Sequence, residues 1–281
     1  MKFIKDIFRG VAIGIANIIP GVSGGTMMVS MGIYNEVISA VTGVFRHLKQ
    51  SIKVLLPYAI GMALGIVGLS FLIGYLFAEY PFQTAMLFVG LILGGLPLIW
   101  PKVAGKRPSV MECLLFVAFF ALIIWMQFWD TGASRVLKSG IGMSLILFLI
   151  GGIAAATMVI PGVSGSMILM SLGYYTPIIQ QINNCIRSLL GLDEEGVLLG
   201  LGILIPFGLG VLIGIFLIAK LVEFLLAKHE REAYFAILGL VASSPIAVLA
   251  GMPIGVLGIG TITTGIFMFA VGCVIAALLG K

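Results

Sequence analysis

Ile19-Pro20-Gly21-Val22-Ser23-Gly24 and Ile160-Pro161-Gly162-Val163-Ser164-Gly165 are the same six residues, and each copy interrupts an apolar stretch. Proline has no N–H to give a helix and glycine loosens the backbone, so each copy reads as a break. Inside hydrocarbon a break bares polar backbone groups that only protein or a polar ligand can cover. Two breaks in corresponding halves of a membrane chain point to a transport site.

The residues around the two copies are suited to a bilayer. Hydrophobic residues make up 60% of the sequence and charged residues 10%, with a mean hydropathy of +1.22. A helix needs about 20 apolar residues to span hydrocarbon. The stretches Val54–Ala78, Phe82–Pro101, Cys113–Trp129, Gly196–Ala219 and Ala233–Gly280 contain no Asp, Glu, Lys or Arg, and the last is long enough to cross twice with a turn at Gly251-Met252-Pro253. The 38 glycines suit closely packed membrane helices. The net charge of +5 is no nucleic-acid footprint, because the basic residues are scattered at segment ends. Cys113, Cys185 and Cys273 are isolated in sequence and suggest neither a metal site nor a disulfide framework. No cofactor is expected.

The repeat extends beyond the hexapeptide. Ile19–Ile38 against Ile160–Ile179 gives 10 identities in 20 positions, including Ser30/Ser171, Gly32/Gly173 and Tyr34/Tyr175. Pro57, Gly61, Gly65 and Gly90 recur as Pro206, Gly210, Gly214 and Gly239 with unchanged spacing. Duplication explains this better than chance. The expected architecture is an all-α polytopic membrane protein, one integral domain made of an inverted repeat. Residues 1–132 form the first half, with a re-entrant hairpin at about 10–45 and spans at about 54–78, 82–101 and 111–129. Residues 133–281 form the second, with a hairpin at about 140–186 and spans at about 196–219, 233–250 and 254–280. The stretch Ile141–Ile160 is long enough to span alone, so the second hairpin has an alternative, deeper division. With both termini cytoplasmic, only Arg135, Lys138 and Arg187 of the 16 Lys and Arg fall outside, as the positive-inside rule requires. Trp100, Trp125 and Trp129 fall near span ends, where interfacial aromatics belong.

Each break follows the same order: a helix stops at Pro-Gly, Ser-Gly turns, and a new apolar helix begins near Ser23 to Thr26 or Ser164 to Met167. A helix start presents unpaired N–H groups and about half a positive charge, which favours an anion. The plainer alternative is a kink whose small residues serve packing. Glu36 is the sole ionisable residue between Gly10 and Phe45. An acid at membrane depth is a candidate for proton or ion coupling; the alternative is an interfacial acid paired with Arg46 or water. The repeat opposes Glu36 with Pro177, Asn17 with Met158 and Thr26 with Met167, so the halves agree in frame and differ in chemistry. Arg135, Lys138 and Arg187 flank the second hairpin and are placed to collect an anion at the outer face, or simply to solubilise loops.

The run Gly14–Thr26, followed by Gly32-Ile33-Tyr34-Asn35-Glu36, resembles the signature of the bacterial polyprenyl-phosphate transporter family, and the second copy strengthens the match. The resemblance covers essentially the whole chain. It implies a cytoplasmic-membrane flippase that returns undecaprenyl phosphate from the outer to the inner leaflet, recycling the lipid carrier of cell-wall polymers. Its partner is then the polyprenyl phosphate itself, in the bilayer. Carried over position by position, the head-group role falls to Ser23, Gly24, Gly25 and Thr26, and to Ser164, Gly165 and Ser166. Asn17 and Glu36 match the pattern without an assigned role. Two other functions compete. A small inorganic anion carrier would use the same backbone site. A polyprenyl-pyrophosphate phosphatase needs a nucleophile with a general base, and the two hairpins together offer one acid, no His and no basic residue ahead of Arg187. The chain is therefore expected not to be an enzyme.

Overall fold

The computed structural model describes residues 2–18, 23–128, 135–137, 140–250 and 258–280. Ile19 to Val22 of the first motif, Lys138, Trp129 and the Gly251-Met252-Pro253 turn lie outside the described residues. The described chain is helical, with no strand among those residues. In order the helices are α1 (Lys2–Ile18), α2 (Gly24–Ser30), α3 (Tyr34–Thr42), α4 (Leu48–Glu79), α5 (Pro81–Gly94), α6 (Leu96–Val103), α7 (Val110–Gln127), α8 (Ile141–Val159), α9 (Gly165–Ser171), α10 (Tyr175–Leu190), α11 (Glu194–Lys228), α12 (Glu230–Ala250) and α13 (Ile259–Gly280).

Local chemistry sets several of these limits. Pro81 opens α5 at its first turn, where its missing N–H costs nothing. Ser109 and Glu112 cap α7 reciprocally: the Glu112 N–H donates to Ser109 Oγ at 3.2 Å, and the Ser109 N–H donates to Glu112 Oε2 at 2.6 Å. α2 and α9 are both seven residues long and end alike. Gly32 and Gly173 take φ of +68° and +79°, a region that glycine enters freely. The Gly32 and Ile33 amides donate to Val29 and Met28, and the Gly173 and Tyr174 amides donate to Met170 and Leu169. These are two copies of one Schellman turn.

Seven stretches among the described residues are long and apolar enough to cross a membrane: Leu48–Gly68, Pro81–Val103, Val110–Gln127, Ile141–Val159, Glu194–Lys228, Glu230–Ala250 and Ile259–Gly280. Six overlap charge-free stretches of the sequence. The seventh is α8, which runs up to the second motif. The outward faces are apolar: Val110, Leu114 and Val117 of α7 are 78%, 59% and 59% exposed. Apolar surface on this scale is a lipid-facing surface. The chain is a multi-pass membrane protein.

The chain divides into two compact units, Met1–Phe128 with Ile160–Val163 and Ala219–Lys281, and Trp129–Val159 with Ser164–Ile218. In the first, α1 packs on α4 with backbones touching. A Cβ on Gly10 would strike the Tyr58 carbonyl oxygen, and one on Gly61 the Ile7 carbonyl oxygen. In the second, α8 meets α11 in the same way, with Gly151 against the Phe207 carbonyl and Gly210 against that of Phe148. Ile7 and Gly10 lie 141 residues before Phe148 and Gly151, and Tyr58 and Gly61 lie 149 before Phe207 and Gly210. The same glycine seats thus recur at the repeat's own offsets. A second matched pair lies within the first unit. Gly90 of α5 rests on the Phe269 carbonyl of α13, and Gly239 of α12 on the Phe116 carbonyl of α7. Small residues permit these close approaches, which supply dispersion where lipid gives no hydrophobic drive.

Candidate functional site

At the first motif, Ser23 is the N-cap of α2, extended at φ −111° and ψ 137°, and 3% exposed. Its hydroxyl accepts the Gly25 N–H at 3.2 Å. Asn17, in the last turn of α1, accepts the Gly24 N–H through Oδ1 at 3.1 Å. The first two amides of α2 are therefore held by the side chains of Asn17 and Ser23. Thr26 is fully buried, and its Oγ1 accepts the Gly162 N–H at 2.7 Å. Through this bond the second motif's turn touches the first motif. Gly162 has φ +83°, and a Cβ there would stand 2.7 Å from the Leu240 carbonyl oxygen. That carbonyl also accepts the hydroxyls of Ser243 and Ser244 at 2.8 and 3.0 Å.

At the second motif, Ser164 is again the N-cap, buried and extended, but its hydroxyl makes no capping bond. It pairs instead with the Ser166 hydroxyl at 2.9 Å. Gly165 rests against Thr157 and Ala154, where Gly24 rests against Asn17 and Ile13. Thr157 turns its hydroxyl to the Ala154 carbonyl at 2.6 Å. Six of the seven residues of α2 are buried, and none of α9.

Glu36 stands in the first turn of α3 and pairs with Lys2 at 2.8 Å, not with Arg46. Its carboxylate holds the Lys2 ammonium above its ordinary pKa, by hydrogen bond first and charge second. Tyr58 lies between two acids, with its hydroxyl 3.2 Å from Asp6 Oδ1 and 3.5 Å from Glu36 Oε2. Asp6 and Arg9 form a buried ion pair at 3.0 Å, and Arg9 Nε donates to the Leu279 carbonyl at 2.9 Å. A groove of about 320 Å³ opens beside Glu36, lined also by Ser39, His47, Gln50 and Ser51. Of the basic residues expected outside, Arg135 is exposed and its N–H donates to the Gly173 carbonyl at 2.9 Å, which ties its segment to the turn after α9. Arg187 is exposed in the last turn of α10.

Sequence reasoning missed the Asp6–Arg9–Tyr58 cluster. Asp6 and Arg9 are three apart, a legible helical pair, but the sequence reading assigned Arg9 to a cytoplasmic segment end. It also missed Glu112 and Arg231. Arg231 Nε lies 3.4 Å from the buried Glu112 Oε1, while Nη2 donates to the carbonyls of Val103 and Lys106, clamping the α6–α7 connection to the start of α12.

A many-helix membrane protein carrying one motif twice, with Gly162 of the second copy bonded to Thr26 beside the first, is the class that this arrangement defines. Residues 13–254 match the model of the undecaprenyl phosphate translocase-like family, and the chain belongs to that family. It is 30% identical over 282 residues to the polyprenyl-phosphate transporter of Staphylococcus aureus, covering 98% of this chain and 95% of that protein. The polyprenyl-phosphate transporter of Vibrio cholerae is 28% identical over 218 residues, covering 72% and 67%. No solved structure matches.

Proposed function

We propose that this protein carries polyprenyl phosphate across the cytoplasmic membrane, from the outer to the inner leaflet, and that the two motifs seat the phosphate head group. The head-group residues in this reading are Ser23, Gly24, Gly25 and Thr26 with Ser164, Gly165 and Ser166. Both relatives bear the name of polyprenyl-phosphate transporter. The observation that carries the reading is the Gly162–Thr26 hydrogen bond, which sets a backbone donor of one motif against the other. The two α2 amides are already engaged, whereas no side chain caps α9, so the second motif is the readier donor. Phosphate binding at the first motif then displaces Ser23 and Asn17, or recruits their free donors.

The halves 1–132 and 133–281 are proposed to be inverted relative to each other, with both termini cytoplasmic. The recurrent glycine seats support the duplication underlying this. Arg135, Lys138 and Arg187 draw the head group in from outside, and rocking of the halves exposes it inward. Coupling to protons through Glu36 is the finer part of the proposal, supported by the groove beside it and its contact with Tyr58. The test is inward transport of undecaprenyl phosphate in vesicles, wild type beside Ser23→Ala/Ser164→Ala. Transport is expected to fall at least tenfold in the double variant, for loss of about 1.4 kcal/mol or more of head-group binding. Competition by short-chain and inorganic phosphate separates a lipid carrier from an inorganic-anion carrier. A Glu36→Gln protein with unchanged pH dependence of transport rejects the proton coupling alone.

A further inference from the structure

Three constraints converge on one amide. The Gly162 N–H is held at 2.7 Å by a Thr26 hydroxyl that is itself fully buried. Its residue sits in the left-handed region, with the Leu240 carbonyl filling the space of a Cβ. Its segment, Ile160–Val163, groups with the unit containing Thr26, while the chain on both sides of it, Trp129–Val159 and Ser164–Ile218, forms the other unit. The hydrogen bond is thus the polar pin of a four-residue turn. Thr26 has Met167 as its counterpart, and a thioether is too weak an acceptor to replace a hydroxyl.

We infer that Thr26 is a positioning residue: it occupies the Gly162 amide while the lipid phosphate is absent and yields that amide when the phosphate arrives. The inference rests on the head-group reading above. A phosphate oxygen is a charged acceptor, and hydrogen bonds to it are about twice as strong as those to a neutral hydroxyl. The exchange at the amide therefore runs toward phosphate. Pin and cargo compete for one donor, so loading frees the 160–163 turn from α2 and an empty carrier keeps it fastened. A ligand that favours the unpinned state in this way shifts the conformational balance by its differential affinity. Motion of the second motif is thereby tied to occupancy.

The test is hydrogen–deuterium exchange of the peptide containing Gly162, in full-length protein in phosphatidylglycerol nanodiscs, with polyprenyl phosphate or with polyprenol as the phosphate-free control. In wild type the amide is expected to exchange slowly with either. Thr26→Val keeps the shape and removes the acceptor. It is expected to exchange faster alone and to slow again with polyprenyl phosphate but not with polyprenol. Thr26→Ser keeps the hydroxyl and is expected to exchange slowly. Unchanged exchange in Thr26→Val, or equally fast exchange in Thr26→Ser, overturns the pin. Fast exchange in Thr26→Val that polyprenyl phosphate does not slow overturns the handover. Thr26→Ala is read by the same criteria if the valine variant does not fold. The transport reading fails separately, when wild-type vesicles move no polyprenyl phosphate at all.

Discussion

α1 and α8 pack on their long partner helices, α4 and α11, through the same glycine seats, yet their side chains follow opposite chemistry. α1 buries Asp6 and Arg9 beneath the Tyr58 hydroxyl. At the matching positions α8 buries Leu147 and Ile150, and α11 offers Phe207. The breaks differ in the same sense. Asn17 and Ser23 satisfy the start of α2, whereas Met158 replaces Asn17 and Ser164 turns away from the start of α9. One copy is polar, internally bonded and buried, and the other is apolar in its arm and uncapped at its break. The second copy demonstrates that the packing does not need ions. The ions of the first are then candidates for work beyond packing, since buried ion pairs are weak contributors to stability.

Several experiments would break or sharpen this contrast. Leucine at Gly61 or at Gly210 drives a side chain into a facing carbonyl, and each is expected to cost more than about 3 kcal/mol and abolish monodisperse protein in detergent. Equal loss at both sites supports equivalent seats; tolerance at one breaks the equivalence. Arg9→Ile leaves Asp6 buried without its partner, and is expected to lower thermal stability by about 3–5 kcal/mol. Adding Asp6→Leu copies the second half and is expected to restore most of that loss while leaving any defect in transport uncorrected. Ser23→Ala removes a true cap and is expected to cost about 1 kcal/mol in thermal unfolding, whereas Ser164→Ala costs roughly 0.5 kcal/mol or less. Equal costs would erase the distinction between capped and uncapped breaks. Lys2→Gln removes an ion pair exposed on both sides, and is expected to change the melting temperature least.

Much of this was legible in the sequence because hydrocarbon imposes simple rules. Charge-free runs overlap six of the seven helices of span length, and the duplicated hexapeptide follows the ends of α1 and α8. The paired glycines at 32 and 173 were visible as identities, although only the backbone reveals them as matched Schellman turns. Contacts that join distant positions were not legible. Nothing in the spacing of Thr26 and Gly162 announces a hydrogen bond across 136 residues. Glu36 pairs with Lys2 from α1 and not with Arg46, which is nearer in sequence, because helix packing, not sequence distance, chooses neighbours. The capping asymmetry was half visible: Asn17 against Met158 foretells it, while the Ser164–Ser166 pairing does not follow from residue types alone.

The seating of Gly90 on Phe269, with Gly239 on Phe116, has a consequence for biogenesis. A ribosome delivers α5 to the bilayer long before α13 exists, so the face at Gly90 waits for its partner through most of translation. Its counterpart, α7, waits likewise for α12. Contacts so distant in the chain close late and slowly. A truncated N-terminal half is left with two unfinished faces, and a C-terminal half supplied as a separate polypeptide carries the surfaces that complete them.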